Sequence, residues 1–96
     1  MVSLNSVISR RDEILLIAQR HGARDVRLFG SVVRGQAAQS SDLDVLVRLD
    51  DDRTLLDHIA LAQDLEDLLG CKVDVVEDRA LHRLLRDRVL SEAVAL

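Results

Sequence analysis

Two apolar periods alternate along the chain. From about Asn5 to His21, the residues Val7, Ile8, Ile14, Leu15 and Ala18 recur at spacings of three and four, and Gly22 follows as a stop signal, which predicts an amphipathic helix. The run Val26 to Gly30 (VRLFG) is short, apolar and closed by glycine, the pattern of a strand entering a tight turn. In Leu43 to Asp50 (LDVLVRLD) the period becomes two. Leu43, Val45, Val47 and Leu49 occupy one face; Asp42, Asp44, Arg48 and Asp50 occupy the other, with Leu46 as the exception. Thr54 to Leu69 returns to a helical stripe of Leu55, Leu56, Ile59, Ala62, Leu65 and Leu69 that Gly70 ends. Lys72 to Asp78 (KVDVVED) predicts a third strand with Val73 and Val75 on one face and Lys72, Asp74 and Val76 on the other. A last helix from Ala80 to about Ala93 carries Leu81, Leu84, Leu85, Val89 and Leu90 on its stripe, leaving Ala93 to Leu96 to dock on another chain.

The connections limit how these strands pair. Only a short link separates Gly30 from Asp42, which keeps those two strand ends together and makes the first pair antiparallel. The helix over Thr54 to Leu69 is roughly 24 Å long at about 1.5 Å per residue, enough to carry the chain back so that the third strand runs parallel to the second. The expected fold is α/β, a small mixed three-stranded sheet with helices on one face and the polar face open. Asp42, Asp44 and Asp74 then gather with the Gly30–Ser31 turn at one end of that face.

Composition narrows the chemistry. The 96 residues suffice for one core and one domain over residues 1–96, and 48% apolar content excludes a disordered chain. A net charge of −4 and Phe29 as the only aromatic residue argue against stable nucleic-acid binding, because neither a basic surface nor a stacking platform is present. The start of the chain has no apolar run before its charges, no stretch is long enough for a membrane span, and Cys71 has no partner for a disulfide, so a cytoplasmic protein is expected.

Two carboxylates about 6 Å apart repel by roughly 3 kcal/mol at an effective dielectric of 20, so a cation belongs beside Asp42 and Asp44. Magnesium suits an all-carboxylate set and leaves positions for phosphate and water. Upstream, a strand ending in Gly30–Ser31 and turning into a short helical segment (VVRGQA) exposes N–H groups to an anion. Ser31 offers a hydroxyl to phosphate, Gly30 allows close approach, and Arg34 supplies a positive charge.

Gly30–Ser31, ten residues, then Asp42–Leu43–Asp44, followed by Asp74 on a later strand, resembles the signature of the nucleotidyltransferase superfamily with the polymerase-beta-like palm. The fuller form GSxxRG…SDxDxxV, with the short length, is similar to the minimal nucleotidyltransferase (MNT) proteins, often antitoxins paired with a HEPN-domain ribonuclease toxin. The resemblance implies two magnesium ions and ATP bound by Asp42 and Asp44, with Asp74 binding the catalytic metal and helping to deprotonate the attacking hydroxyl. It also implies a partner, a HEPN-type toxin whose tyrosine hydroxyl receives AMP. Two alternatives stay open: a non-catalytic antitoxin that masks its partner, and a small-molecule nucleotidyltransferase whose acceptor site another subunit completes.

Other polar residues have plainer readings. Ser41 is first a turn residue and second a phosphate or metal-shell contact. Asp50, Asp51 and Asp52 are expected to cap the following helix. His21, His58 and His82 have no metal-site spacing and read as surface or cap residues, and Cys71 as a small core residue.

Overall fold

A computed structural model describes residues 2–36 and 42–96. Along these the order is α1 (Leu4–Ile8), α2 (Arg11–Arg20), β1 (Ala23–Phe29), a 3-10 turn (Gly30–Val32), β2 (Leu43–Leu49), α3 (Leu55–Leu69), β3 (Val73–Glu77), a second 3-10 turn (Asp78–Ala80), α4 (Arg83–Glu92) and β4 (Val94–Ala95). One sheet has the strand order β3-β2-β1-β4. β1 and β2 are antiparallel, β2 and β3 parallel, as the link lengths require.

The odd positions of β2 are buried, with Leu43, Val45 and Val47 at most 1% exposed. They pack in one core with Val7 of α1, Ile14 and Ala18 of α2, and Leu61 and Leu65 of α3. Three helices therefore cover one sheet face. Leu46, on the alternate face, is also fully buried but lies outside that core. α4 is tied to this second side: Arg86 contacts Asp78 at 2.9 Å, Asp78 in turn accepts from Arg48 of β2 at 3.2 Å, and Glu92 reaches the end of β1.

The sheet has four strands rather than the expected three. Val94 and Ala95 pair antiparallel with Leu28 and Arg27, so the chain's last residues complete its own sheet edge instead of docking on another chain. Leu96 N–H extends the pairing to the Val26 carbonyl at 3.0 Å.

The first helix is broken in two. Ser9 turns its hydroxyl back to the Ser6 carbonyl at 2.7 Å, and Arg10 leaves helical geometry with φ −105° and ψ 19°. Serine competes in this way with the helix's own hydrogen bonds. β1 begins at Ala23, earlier than its apolar run, because a register shift between Arg24 and Arg27 with Asp25 at φ 52° inserts a bulge that interrupts the alternation. α4 starts at Arg83, later than expected, capped by His82, which accepts from Leu84 N–H.

The acidic run does not cap α3. Thr54 does, in a reciprocal capping box with Asp57, while Asp51 pairs with Arg79 at 2.8 Å and Asp52 lies beside Arg53. Gly70, at φ 67°, ends α3 as its position predicts. Cys71 packs partly buried against the core, and burial pushes its thiol up.

Candidate active site

β1 ends, and β2 and β3 begin, at the same end of the sheet. Phe29, the last residue of β1, lies opposite Asp44, and Asp44 lies opposite Asp74 of β3. The strand period then aims Asp44 and Asp74 at one face, side by side across a parallel ladder. Asp44 is half-buried, Asp74 exposed, and Asp42 exposed just ahead of β2.

Burial first, then the charges of Asp74 and Asp42, push the Asp44 carboxyl above its usual range; Glu92 adds to this and Arg34 acts against it. Among the described residues, no three His, Cys, Asp or Glu side chains stand close enough to share one metal ion. The donors are nevertheless of the right kind. Three carboxylates, one of them held in an environment that resists its charge, suit a hard divalent cation better than they suit one another.

Gly30 forms the other wall. Its φ is 78°, a conformation that favours glycine, and a β-carbon there would run into the Asp44 carboxylate. The turn beyond is tight: the Gly30 carbonyl accepts from Val33 and Arg34 N–H at 3.1 and 3.3 Å, and the Ser31 carbonyl from Gln36 N–H at 2.9 Å. Ser31, next in the turn, is half-buried. Ser41, the remaining expected phosphate contact, lies outside the described residues, as does Ala37 at the end of the expected short helical segment.

One residue at this site escaped the sequence reading. Glu92, the last residue of α4, accepts the Gly30 N–H at 3.0 Å and receives Arg34 Nη1 on both oxygens at 2.9 and 3.2 Å. Arg34, expected to meet phosphate, is thus paired within the chain, and its Nε donates to Gln36 at 3.1 Å. The Gly30 N–H, followed by Arg34, holds the Glu92 carboxyl below its usual range.

The family model for the nucleotidyltransferase domain matches residues 11–96 and so takes in the whole of this constellation. The chain belongs to the nucleotidyltransferase domain family. As a nucleotidyltransferase it is 41% identical over 78 residues to the protein adenylyltransferase MntA of Thermococcus cleftensis, covering 81% of this chain and 79% of that protein. It is also 40% identical over 82 residues to a candidate protein adenylyltransferase of Methanocaldococcus jannaschii, covering 85% and 88%. The solved structure of a candidate minimal nucleotidyltransferase superposes with a TM-score of 0.89 at 49% identity, covering 99% of this nucleotidyltransferase and 97% of that chain. A toxin–antitoxin crystal structure with AMP-PNP superposes at 0.74 with 26% identity, covering 88% and 69%. The fold is the minimal nucleotidyltransferase fold, and the protein is related to MntA antitoxins. Among the described residues no helix is long and apolar enough to cross a membrane.

Proposed function

We propose that this nucleotidyltransferase moves AMP from ATP to a tyrosine hydroxyl of a HEPN-type toxin and acts as that toxin's antitoxin. The observation that carries the reading is the register of Asp44 against Asp74 with Gly30 backed onto Asp44, which gathers carboxylates beside the Gly30–Ser31 turn at one sheet end. Relatives named as protein adenylyltransferases and a related toxin–antitoxin structure containing an ATP analogue support the same chemistry.

Asp42 and Asp44 would hold two magnesium ions with the triphosphate, and Asp74 would help to hold one of them. Bound there, magnesium would neutralise phosphate charge and favour the ionised acceptor hydroxyl. The Ser31 hydroxyl holds an outer phosphate, and Gly30 allows its close approach. Asp74 accepts the tyrosine proton. The phenolic oxygen attacks the α-phosphorus in line, a new P–O bond forms, and the bond to the β-phosphate breaks to release pyrophosphate.

The acceptor comes from a partner, which can reach Asp42 and Asp74 because both are exposed. Large apolar side chains stand in water on α3, where Leu55, Leu56 and Ile59 are 71%, 77% and 45% exposed, and on α4, where Leu84 is 78% exposed. Such side chains on two helices suit a protein partner, one that docks at the sheet end opposite Asp44 and reaches round to it.

The test is incubation with magnesium, ATP labelled at the α-phosphate, and the protein encoded next to it. Label on a tyrosine of that neighbour, lost with Asp42→Asn and Asp44→Asn together, is the expected result. Label that never reaches the neighbour, while the neighbour is still neutralised, would make this an antitoxin that acts by masking. Turnover with free small hydroxyl compounds and no partner would make it a small-molecule transferase.

A further inference from the structure

Gly30 sits between two carboxylates. Asp44 fills the space where a β-carbon would be, and Glu92 takes the N–H. The second contact is built into the sheet. β4 pairs with β1 so that Val94 lies opposite Leu28 and Ala95 opposite Arg27. Continued two residues along an antiparallel ladder, that register brings position 92 to position 30. The last turn of α4 therefore delivers a carboxylate to the glycine that opens the phosphate turn, and the same carboxylate takes the Arg34 guanidinium from four residues further on. One side chain thus ties the entry of the turn to its exit. The Glu92 side chain is 25% exposed and that of Arg34 is 47%, so the pair lies at the rim of the site, partly shielded from water.

We propose that Glu92 is a positioning residue for nucleotide binding: by clamping the Gly30 N–H and Arg34 together, it sets the turn that presents Ser31 to the triphosphate beside Asp44. The role rests on the nucleotide-binding reading given above. Glu92 itself touches no phosphate. It acts through the turn, because an anion needs N–H groups already aligned, and aligning them on binding costs affinity. The clamp also joins the far end of the chain to the active site, since Glu92 is followed directly by the residues that close the sheet edge.

The experiment compares wild type, Glu92→Gln and Glu92→Ala as full chains. Glutamine keeps an oxygen for the Gly30 N–H but gives up the charge that holds Arg34. Three quantities are read: hydrogen exchange at the Gly30 amide, the thermal midpoint, and the Kd for MgATP by calorimetry at temperatures where each variant is folded. Loss of a charge-assisted clamp is expected to weaken MgATP about tenfold in Glu92→Ala, with Glu92→Gln between it and wild type, and to speed Gly30 exchange in the same order. A lowered thermal midpoint with unchanged Kd would overturn the proposal and reduce Glu92 to a stabiliser of the sheet edge. Tighter MgATP binding in Glu92→Ala would overturn it in the other direction, making the carboxylate a plug in the phosphate position. Wild type that binds no MgATP would instead remove the nucleotide reading itself, and this role with it.

Discussion

Replacing Asp44 by asparagine is expected to stabilise the metal-free protein. Asp44 and Asp74 are register partners on neighbouring strands, which run about 4.8 Å apart, close enough for their charges to act on one another. At an effective dielectric of 20 two carboxylates about 6 Å apart repel by about 3 kcal/mol. Because Asp74 is exposed, water and salt reduce such a repulsion to about 1 kcal/mol here. Burial and the charges of Asp74 and Asp42 raise the folded-state pKa of Asp44 above its ordinary 3.8. The native state then binds the proton more tightly than the unfolded chain does. The penalty is complete above the raised value and disappears as pH falls below 3.8. Thermal denaturation followed by circular dichroism at about pH 7.5 in EDTA should place the midpoint of Asp44→Asn about 4–8 °C above wild type, the shift that about 1 kcal/mol produces in a chain of this size. Magnesium at ten times its Kd should raise the wild-type midpoint by the equivalent of about 1.4 kcal/mol and leave Asp44→Asn nearly unmoved. A variant no more stable than wild type in EDTA would refute the claim that Asp44 is held against its own charge.

Other substitutions test other parts of the site and its support. Gly30→Ala places a β-carbon against Asp44 at a positive φ and should cost about 1–3 kcal/mol, read as a lower denaturation midpoint together with loss of AMP transfer. Asp78, 5% exposed, holds Arg48 and Arg86; Asp78→Ala leaves both cations without their carboxylate and should cost about 2–3 kcal/mol in urea unfolding, whereas Asp78→Ala together with Arg48→Met should recover part of it. Glu92 has a depressed folded-state pKa, so its contribution is present at neutral pH and is lost as pH falls below 4.5 through the folded value; Glu92→Gln should flatten that part of the acid-unfolding profile.

The face of Asp44 was legible because a strand's period of two sets it opposite Leu43, Val45, Val47 and Leu49, which are core, while Asp42 lies just ahead of the strand. The neighbouring position of Asp74 followed from the length of α3, which is long enough to return the chain and make β3 parallel to β2. Shorter features carry no period. β4 has two residues, and its place depends on the free edge of β1, which no local pattern announces. Glu92 inherits that difficulty: it reaches Gly30 across 62 positions of sequence, through a strand too short to see. The break at Ser9 and the bulge near Asp25 were hidden for a related reason, since each depends on a hydrogen bond or backbone angle at one residue and leaves the apolar spacing on either side intact. In the acidic stretch, composition pointed to Asp50, Asp51 and Asp52 as caps, but the reciprocal bonds of Thr54 and Asp57 satisfy the start of α3 more completely.

In the proposed reaction Asp42, Asp44, Asp74 and the Gly30–Ser31 turn form one magnesium–nucleotide site. A crystal structure with saturating magnesium and a non-hydrolysable ATP analogue tests it most directly. The expected result is two ions held by the three aspartates, with the outer phosphates against Ser31. An analogue bound elsewhere, or an Asp74 side chain that makes no contact with either ion, would contradict it.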